Sequence, residues 1–278
     1  MGAVLQGIAG MEVKILGNIQ DGGLPHMGCE CELCQAARED PCRQKFVSSI
    51  LLREDSSEDS FRYLIDASPD IRNQISGKYI DGVFIPHHEI GHATGLLFFG
   101  EQGIDANGVT VFCNDRVENF LMKNDPYRYL VDRDNIDISQ VQDGERKDLQ
   151  GVDLEVREEH HENLNREVST YFLEGPEKTL YYVPDIHEWS DSVVGSIREA
   201  DIAIIDGTFW SRDEIDRYDE VPHPPIEETM DQMEDFETEI YFTHINHTNP
   251  VLREGSDERQ ELEDRGFRIA EQDMELEI

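Results

Sequence analysis

Three histidines and a glutamate lie within six positions of one another, directly after a short apolar run. The run covers residues 83–85, and the donors are His87, His88, Glu89 and His92. Imidazole and carboxylate groups are the usual nitrogen and oxygen ligands of zinc and iron in proteins. A strand that ends just before such residues can aim them together into a cleft. The spacing therefore predicts a metal site at this strand end.

A histidine or an aspartate also borders each of several later apolar runs. These residues are His161, Asp185, Asp206 and His244. An aspartate after a strand is often only a helix cap or a turn former. Repetition of the pattern favours another explanation, in which ligands from several strand ends converge at one edge of a sheet.

Three cysteines are spaced as C-x-C-x2-C in a glycine-rich segment. Cys29, Cys31 and Cys34 could bind one zinc ion tetrahedrally if a further donor joined them. The candidates for that fourth ligand are His26, Cys42 and His247. Such an ion would be structural, and it would tie this N-terminal segment to a C-terminal strand.

The chain is strongly acidic. Of its 278 residues, 61 are Asp or Glu and 24 are Lys or Arg, so the formal net charge is −37. Disordered acidic chains lack the apolar runs seen here, so we expect a folded protein. An acidic surface of this kind suits a high-salt cytoplasm, where ions screen its self-repulsion. The charge argues against binding to a nucleic-acid backbone, which requires basic patches.

The compartment and the partners are also constrained. No apolar segment reaches the roughly 20 residues needed to cross a bilayer, and the first ten residues lack the basic start of a signal peptide. Clustered thiols suit a reducing compartment. We therefore expect a cytoplasmic protein that acts on a small molecule, without a membrane or nucleic-acid partner. A homodimer is compatible with the sequence.

Strand-like and helix-like runs alternate along the chain. Strands are predicted at residues 12–16, 46–52, 63–65, 83–85, 109–112, 169–173, 179–183, 202–205 and 240–243. Helices are predicted at residues 93–99, 114–122, 191–200 and 225–236. Residues 124–151 are polar and weakly patterned, which predicts a variable connection. No internal repeat or low-complexity linker divides the sequence, so we predict one α/β domain over residues 1–278.

The first cluster resembles the histidine signature of the metallo-β-lactamase superfamily. That signature reads H-x-H-x-D-H and continues into a Gly-Leu helix start, and residues 85–96 here read IPHHEIGHATGL. Other segments are similar to the coenzyme PQQ synthesis protein B group and to the neighbouring phosphonate-pathway cyclic ribose phosphodiesterases. They are LG at 16–17, GG at 22–23, the cysteine segment, ASPDIR at 67–72, DGTFW at 206–210 and THINHTNP at 243–250. The resemblance runs from residue 13 to residue 250 and implies a four-layer αββα sandwich.

The chain departs from the signature at two of its positions. His87 and His92 match the first and last histidines of the motif. Glu89 stands where the second histidine belongs, and Gly91 replaces the aspartate. Glutamate can still bind a hard or borderline metal, whereas glycine offers no donor. His88 is an alternative donor, although strand alternation would aim it away from its neighbour.

The resemblance divides the expected ligands between two ions. The first set is His87, Glu89 and His161. The second set is His92, His244 and the bridging Asp185. Because Gly91 removes one carboxylate from the second set, the sequence is compatible with either one or two bound ions.

The resemblance also implies cofactors and roles. We expect zinc, with one structural ion and one or two catalytic ions, while iron and manganese are alternatives at the active site. The phosphodiesterase branch completes its structural zinc with a histidine, which favours His247 as the fourth ligand. Asp185 would orient a metal-activated water. His223, between two prolines, resembles the general-acid histidine of that branch.

Three functions are compatible with these features. The first is a metal-dependent hydrolase of a small ester, either a phosphodiester or a lactone, which uses a metal-activated water. The second is an iron-dependent oxygenase in cofactor biosynthesis, as in the PQQ synthesis protein B group. The third is a non-catalytic binding or carrier protein on a degenerate hydrolase scaffold, for which Gly91 is the main support. Fold alone does not choose among them.

Overall fold

Two seven-stranded sheets form the centre of the computed structural model, which describes residues 11–54, 61–75, 79–161 and 166–278. Side chains at 54, 160, 161 and 166 lie outside this description. The first sheet contains β1 (Met11–Gly17), β2 (Ser49–Glu54), β3 (Arg62–Ile65), β4 (Gly82–Ile85), β5 (Val109–Cys113), β6 (Ile136–Gln140) and β14 (Glu275–Glu277). The second contains β7 (Arg146–Asp148), β8 (Asp153–His161), β9 (Arg166–Glu174), β10 (Thr179–Val183), β11 (Ile202–Asp206), β12 (Glu239–Thr243) and β13 (Arg268–Ile269).

Both sheets are mixed, and each has an antiparallel half and a parallel half. The first has the order β14-β1-β2-β3-β4-β5-β6, antiparallel as far as β3 and parallel from β3 onwards. The second has the order β13-β12-β11-β10-β9-β8-β7, parallel as far as β10 and antiparallel beyond it. Parallel neighbours place their carboxyl ends at one edge, so residues that follow such strands lie close together.

Helices cover the outer faces of the two sheets. They are α1 (Glu32–Glu39), α2 (Ile71–Gln74), α3 (Ile90–Ala93), α4 (Asp115–Lys123), α5 (Asp125–Asp132), α6 (Asp191–Glu199), α7 (Ile226–Met233) and α8 (Asp257–Asp264). Short 3-10 turns occupy Pro41–Arg43, Thr94–Phe99, Tyr218–Glu220 and Pro250–Leu252. Among the described ranges, no helix combines the length and the apolar character that a membrane crossing requires.

Alternate residues of the central strands supply three apolar layers. In β10, Leu180 and Tyr182 point into the core between the sheets, and Tyr181 and Val183 pack against the outer helices. In β4, Phe84 points inward while its neighbours pack under the helices of the first sheet. A strand buried on both faces needs apolar residues at every position, which explains the continuous runs. The expected αββα layering is confirmed.

The structure confirms most predicted elements and corrects one. The runs at 83–85, 179–183, 202–205 and 240–243 are β4, β10, β11 and β12. The prediction that residues 124–151 form only a variable connection is wrong, because this segment contains α5 and the strands β6 and β7. Both strands lie at sheet edges and are partly exposed, so they lack the apolar pattern of a central strand.

Candidate metal centre

His87, His92 and Asp185 meet where β4 and β10 end. All three are buried. Oδ2 of Asp185 lies 3.2 Å from His87 Nε2 and 3.6 Å from His92 Nε2. A bond from the Ser169 N–H to the Pro86 carbonyl, 3.1 Å long, joins the two sheets at this edge. Each donor follows its strand by a few residues, which is why strands from different sheets bring them together.

Three imidazole side chains interact with the Asp185 carboxylate. Burial alone would raise its pKa, but His244, His87 and His92 oppose this effect and hold the pKa of Asp185 well below its usual range. The carboxylate therefore stays ionised at neutral pH. An ionised, buried carboxylate flanked by imidazoles is a suitable ligand for a divalent cation.

A buried carboxylate fixes the orientation of the His92 ring. Nδ1 of His92 donates to Asp66 Oδ1 over 2.7 Å, so Nε2 faces Asp185. The other oxygen of Asp66 accepts a bond of 2.8 Å from the Tyr182 hydroxyl. Asp66 is fully buried and has φ of 72°. A carboxylate behind a histidine is the usual means of setting the tautomer and angle of a metal-ligating imidazole.

His244 is held in a comparable way from the other side. It follows β12 with φ of 56°, a left-handed conformation that costs a non-glycine residue on the order of 1–3 kcal/mol. The Thr208 hydroxyl donates to the His244 carbonyl over 3.0 Å and accepts from its Nδ1–H, also over 3.0 Å. The Nε2 atom is thereby left to face the centre of the site.

His223 lies beside this group and is paired with a buried aspartate. Its Nδ1 donates to Asp206 Oδ2 over 2.7 Å and lies 3.8 Å from Asp185 Oδ1. Burial alone would lower the pKa of His223, but the Asp206 carboxylate raises it to about 9. Asp206 also accepts from the backbone N–H groups of Ile186 and Thr208. His223, for which the resemblance implies the role of general acid, is therefore buried beside Asp185 and Asp206.

Asp21 is a carboxylate that sequence reasoning passed over. Its Oδ1 lies 3.7 Å from His92 Nε2 and 3.6 Å from His244 Nε2. A Cβ atom added to Gly91 would lie only 2.0 Å from the same oxygen. The Asp21 side chain thus occupies the space that a side chain at 91 would fill.

Several buried donor atoms around this point lack a hydrogen-bond partner among the described residues. They are Asp21 Oδ1, His87 Nε2, His92 Nε2 and His244 Nε2. Leaving a buried polar atom unsatisfied costs about 1–3 kcal/mol, and native structures rarely do so without a reason. The unsatisfied atoms are carboxylate and imidazole donors that converge, as a cation site requires. These residues fit a divalent metal.

Two further candidates from the sequence, His88 and Glu89, line a cavity of about 230 Å³ beside the site. The cavity is bordered by His87, His88, Glu89, Arg116, Glu167, Val168, Asp185 and His187. Glu89 is not among the donors found within 4.8 Å of one another in the described residues. The His161 backbone ends β8, but its side chain lies outside the described part of the chain. Of the first expected ligand set, His87 lies in a cluster of donor atoms, Glu89 does not, and the His161 side chain is not described.

Comparisons with known proteins agree with this architecture. Residues 61–245, about two thirds of the chain, match the Beta-lactamase superfamily domain. The chain belongs to the β-lactamase superfamily. Coenzyme PQQ synthesis protein B from Rhizobium meliloti is 28% identical over an alignment of 320 positions, gaps included. The alignment covers 96% of this chain and 98% of that protein. The corresponding protein of Methylococcus capsulatus is 28% identical over 310 residues, with 96% and 99% covered.

Solved structures show the same fold. Zn²⁺-bound PqqB from Methylobacterium extorquens has a TM-score of 0.82 and 24% identity, and the match covers 96% of this chain and 100% of that one. A diphosphatase of the PhnP family has a TM-score of 0.73 and 23% identity, with 97% of each chain covered. The metallo-β-lactamase fold and the likeness to both predicted branches are thereby confirmed.

A second donor cluster lies apart from the superfamily's histidine motif. Single donor atoms of Cys29, Cys31, Cys34 and His247 lie within 4.8 Å of one another. Nδ1 of His247 bonds to Asn246 Oδ1 over 2.9 Å, which leaves Nε2 for a ligand. Three thiols and one imidazole fit a closed tetrahedral zinc site.

The other candidates for the fourth ligand lie outside this cluster. The His26 ring stacks on His247, with centroids 4.4 Å apart, and Cys42 is exposed. Burial raises the pKa of the Cys34 thiol to about 12, so it stays protonated unless a cation displaces the proton.

Proposed function

We propose that this protein is a metal-dependent hydrolase of a small ester, either a phosphodiester or a lactone. The main support is the convergence of unsatisfied imidazole and carboxylate atoms beside Asp185, which lines the cavity of about 230 Å³ together with His87. Members of the β-lactamase superfamily are generally hydrolases, and one structural relative is a diphosphatase. The cavity is smaller than a typical drug-sized pocket, which favours a small substrate.

Bound metal would lower the pKa of a coordinated water toward 7 and would polarise the substrate oxygen. His87, His92, His244 and Asp185 are the described residues that would hold one or two such ions, with Glu89 and His161 as further ligands in the proposal. Zinc is the expected ion, and iron or manganese are alternatives. Asp185 accepts a hydrogen bond from the attacking water and so orients it toward the cavity.

His223 supplies the proton that the leaving oxygen requires. Its Nδ1 is engaged by Asp206, so the proton to be donated is carried on Nε2. The Asp206 carboxylate stabilises the charged ring and holds it beside Asp185.

Replacing His223 with Asn tests the assignment of a general acid. We expect turnover of an alkyl phosphodiester to fall by about 10²–10⁴-fold, because the leaving alkoxide needs a proton. Hydrolysis of bis(p-nitrophenyl) phosphate should fall much less, since nitrophenolate leaves without protonation. Zinc content should be unchanged. Equal losses with both esters, or a loss of zinc, would rule out the role of proton donor.

A specific observation favours a second function. Coenzyme PQQ synthesis protein B from Rhizobium meliloti is 28% identical over 96% of this chain, whereas the PhnP-family diphosphatase is 23% identical over 97% of it. An iron-dependent oxidative step in cofactor biosynthesis is therefore the alternative proposal. Oxygen consumption that depends on iron and on substrate would support it. A filled metal site without turnover of any ester would instead favour a binding protein.

The physiological setting in this proposal is a salt-rich cytoplasm. The net charge of −37 and the cluster of free thiols support it. A small molecule is the proposed partner, while association into a homodimer stays a prediction.

A further inference from the structure

We propose that Asp21 is the carboxylate ligand of the second active-site ion and that it replaces the side chain missing at Gly91. The inference deepens the proposed function and rests on its claim that a divalent cation binds here. It assigns the cation to Asp21, His92 and His244, whose donor atoms lie within 4.8 Å of one another.

The space around Gly91 supports the assignment. A Cβ atom at this position would lie 2.0 Å from Asp21 Oδ1, 2.9 Å from its Cγ and 3.3 Å from its Cα. Real Cβ atoms do not approach other atoms so closely, because protein interiors are packed at van der Waals distances. A side chain at 91 and the present Asp21 position therefore exclude each other.

The three donor atoms are also buried without hydrogen bonds to described residues. Asp21 Oδ1, His92 Nε2 and His244 Nε2 are buried and have no hydrogen-bond partner among the residues described. The oxygen lies 3.7 Å and 3.6 Å from the two nitrogens, which is too far for hydrogen bonds. Ligands about 2.1 Å from a tetrahedral ion lie about 3.4 Å apart, so this spacing suits donors that share one cation.

The Nδ1 atoms of both histidines already form hydrogen bonds. Asp66 accepts from Nδ1 of His92, and Thr208 accepts from Nδ1 of His244. In the neutral tautomers that carry the proton on Nδ1, both Nε2 atoms have a lone pair available to a cation. A shared proton would have to bridge 3.7 Å or 3.6 Å to Asp21 Oδ1, whereas a cation would satisfy all three atoms at once.

Backbone contacts hold the segment that carries Asp21 beside His244. Ile19 pairs with both Val47 and Ile245, and the Gln20 N–H donates to the Ile245 carbonyl over 3.0 Å. A bond of 2.9 Å from the Gly23 N–H to the Gln20 carbonyl closes a turn around Asp21. Because Ile245 directly follows His244, the turn fixes Asp21 relative to one of its proposed co-ligands.

A reciprocal exchange of the two positions tests the proposal. The variants are Asp21→Asn, Gly91→Asp and the double exchange Asp21→Gly with Gly91→Asp. Asp70→Asn is the matched control, because Asp70 borders the same surface cavity as Asp21 but bonds to the Val47 N–H. Zinc bound per chain is measured by mass spectrometry after dialysis against buffered free Zn²⁺, and Tm is measured in parallel.

We expect Asp21→Asn to lose one zinc ion per chain, with affinity at that position reduced more than about 100-fold, beyond the loss typical for supporting residues. Gly91→Asp alone should lower Tm, because two carboxylates would compete for one volume. The double exchange should recover both zinc and Tm, so that the two changes are strongly non-additive. Asp70→Asn should keep wild-type zinc.

Two results would overturn the assignment. One is wild-type zinc content and affinity in Asp21→Asn. The other is a double exchange with wild-type Tm that binds no more zinc than Asp21→Asn. The readout needs no substrate, so it is separate from the proposed function. A wild-type protein that binds zinc and loses it in Asp21→Asn, yet hydrolyses no ester, would refute the hydrolase and support the ligand.

Discussion

At the scale of single residues, the site depends on partners that orient its imidazoles. His92 relies on Asp66, which is fully buried and bonds to both His92 and the Tyr182 hydroxyl. Asp66 also has φ of 72°, a conformation that asparagine adopts with little strain. The position can therefore be changed to asparagine without altering the backbone.

We expect Asp66→Asn to reduce zinc affinity at the active site by about 10–100-fold, because the negative charge behind His92 is lost. Tyr182→Phe is the matched control, since it removes the other bond of Asp66 and leaves the His92 contact in place. Its loss should be clearly smaller. Competition with a chromophoric chelator measures both affinities, and equal affinities for wild type and Asp66→Asn would contradict the role of Asp66.

Residue type and spacing were sufficient to predict part of this site. His87, His92, Asp185 and His244 follow apolar runs, and the structure brings them together at the strand ends. Asp21 carries no comparable signal. It precedes two glycines in a loop, 70 positions before Gly91, and only the folded chain shows that it fills that space.

At the scale of elements, one loop connects the two donor clusters. The turn at residues 20–23 carries Asp21, and the same loop continues to Cys29 and Cys31, while Cys34 lies at the start of α1. His247 completes the cysteine cluster three residues after His244. A structural ion there would hold the loop against the end of β12, beside the active site.

We expect Cys31→Ser to remove the structural zinc and also to weaken zinc binding at the active site, because the loop carrying Asp21 is released. Cys42→Ser is the matched control, since Cys42 is exposed and lies outside the cluster. Zinc stoichiometry and Tm should both fall in the first variant and stay unchanged in the second. Loss of a single ion with unchanged zinc affinity at the active site would contradict this prediction, because it would show that the two clusters bind zinc independently.

Elements were predictable where burial dominates their composition. The strands β4, β10, β11 and β12 are covered on both faces, so their central positions are apolar and form continuous runs. The edge strands β6 and β7 have one fully buried position between them, at Ile136. Their hydrogen-bonded pairing defines them, and this pairing cannot be read from their residue composition.

At the scale of the whole molecule, the excess of acidic groups must influence stability. With 61 acidic and 24 basic side chains, repulsion opposes the compact state wherever salt does not screen it. The screening length falls from about 30 Å at 0.01 M salt to about 3 Å at 1 M. Burial of the three apolar layers stabilises the fold against this repulsion.

We therefore expect Tm to rise steadily as KCl is increased from 0.01 M to 1 M. Sucrose over a range of concentrations is the control, because it is excluded from the protein surface without screening charge. A Tm that does not change with KCl, or that changes no more than with sucrose, would mean that surface repulsion is unimportant for this chain.

The convergence of donors at the joined sheet edges supports the central proposal, namely that this protein is a metal-dependent hydrolase. The most direct measurement is ester hydrolysis by protein that has been stripped by a chelator and reloaded with zinc, manganese or iron, with oxygen uptake followed in parallel. We predict that stripped protein is inactive towards bis(p-nitrophenyl) phosphate and that zinc or manganese restores turnover without oxygen consumption. No hydrolysis by fully loaded protein, together with oxygen uptake that requires iron, would contradict the claim.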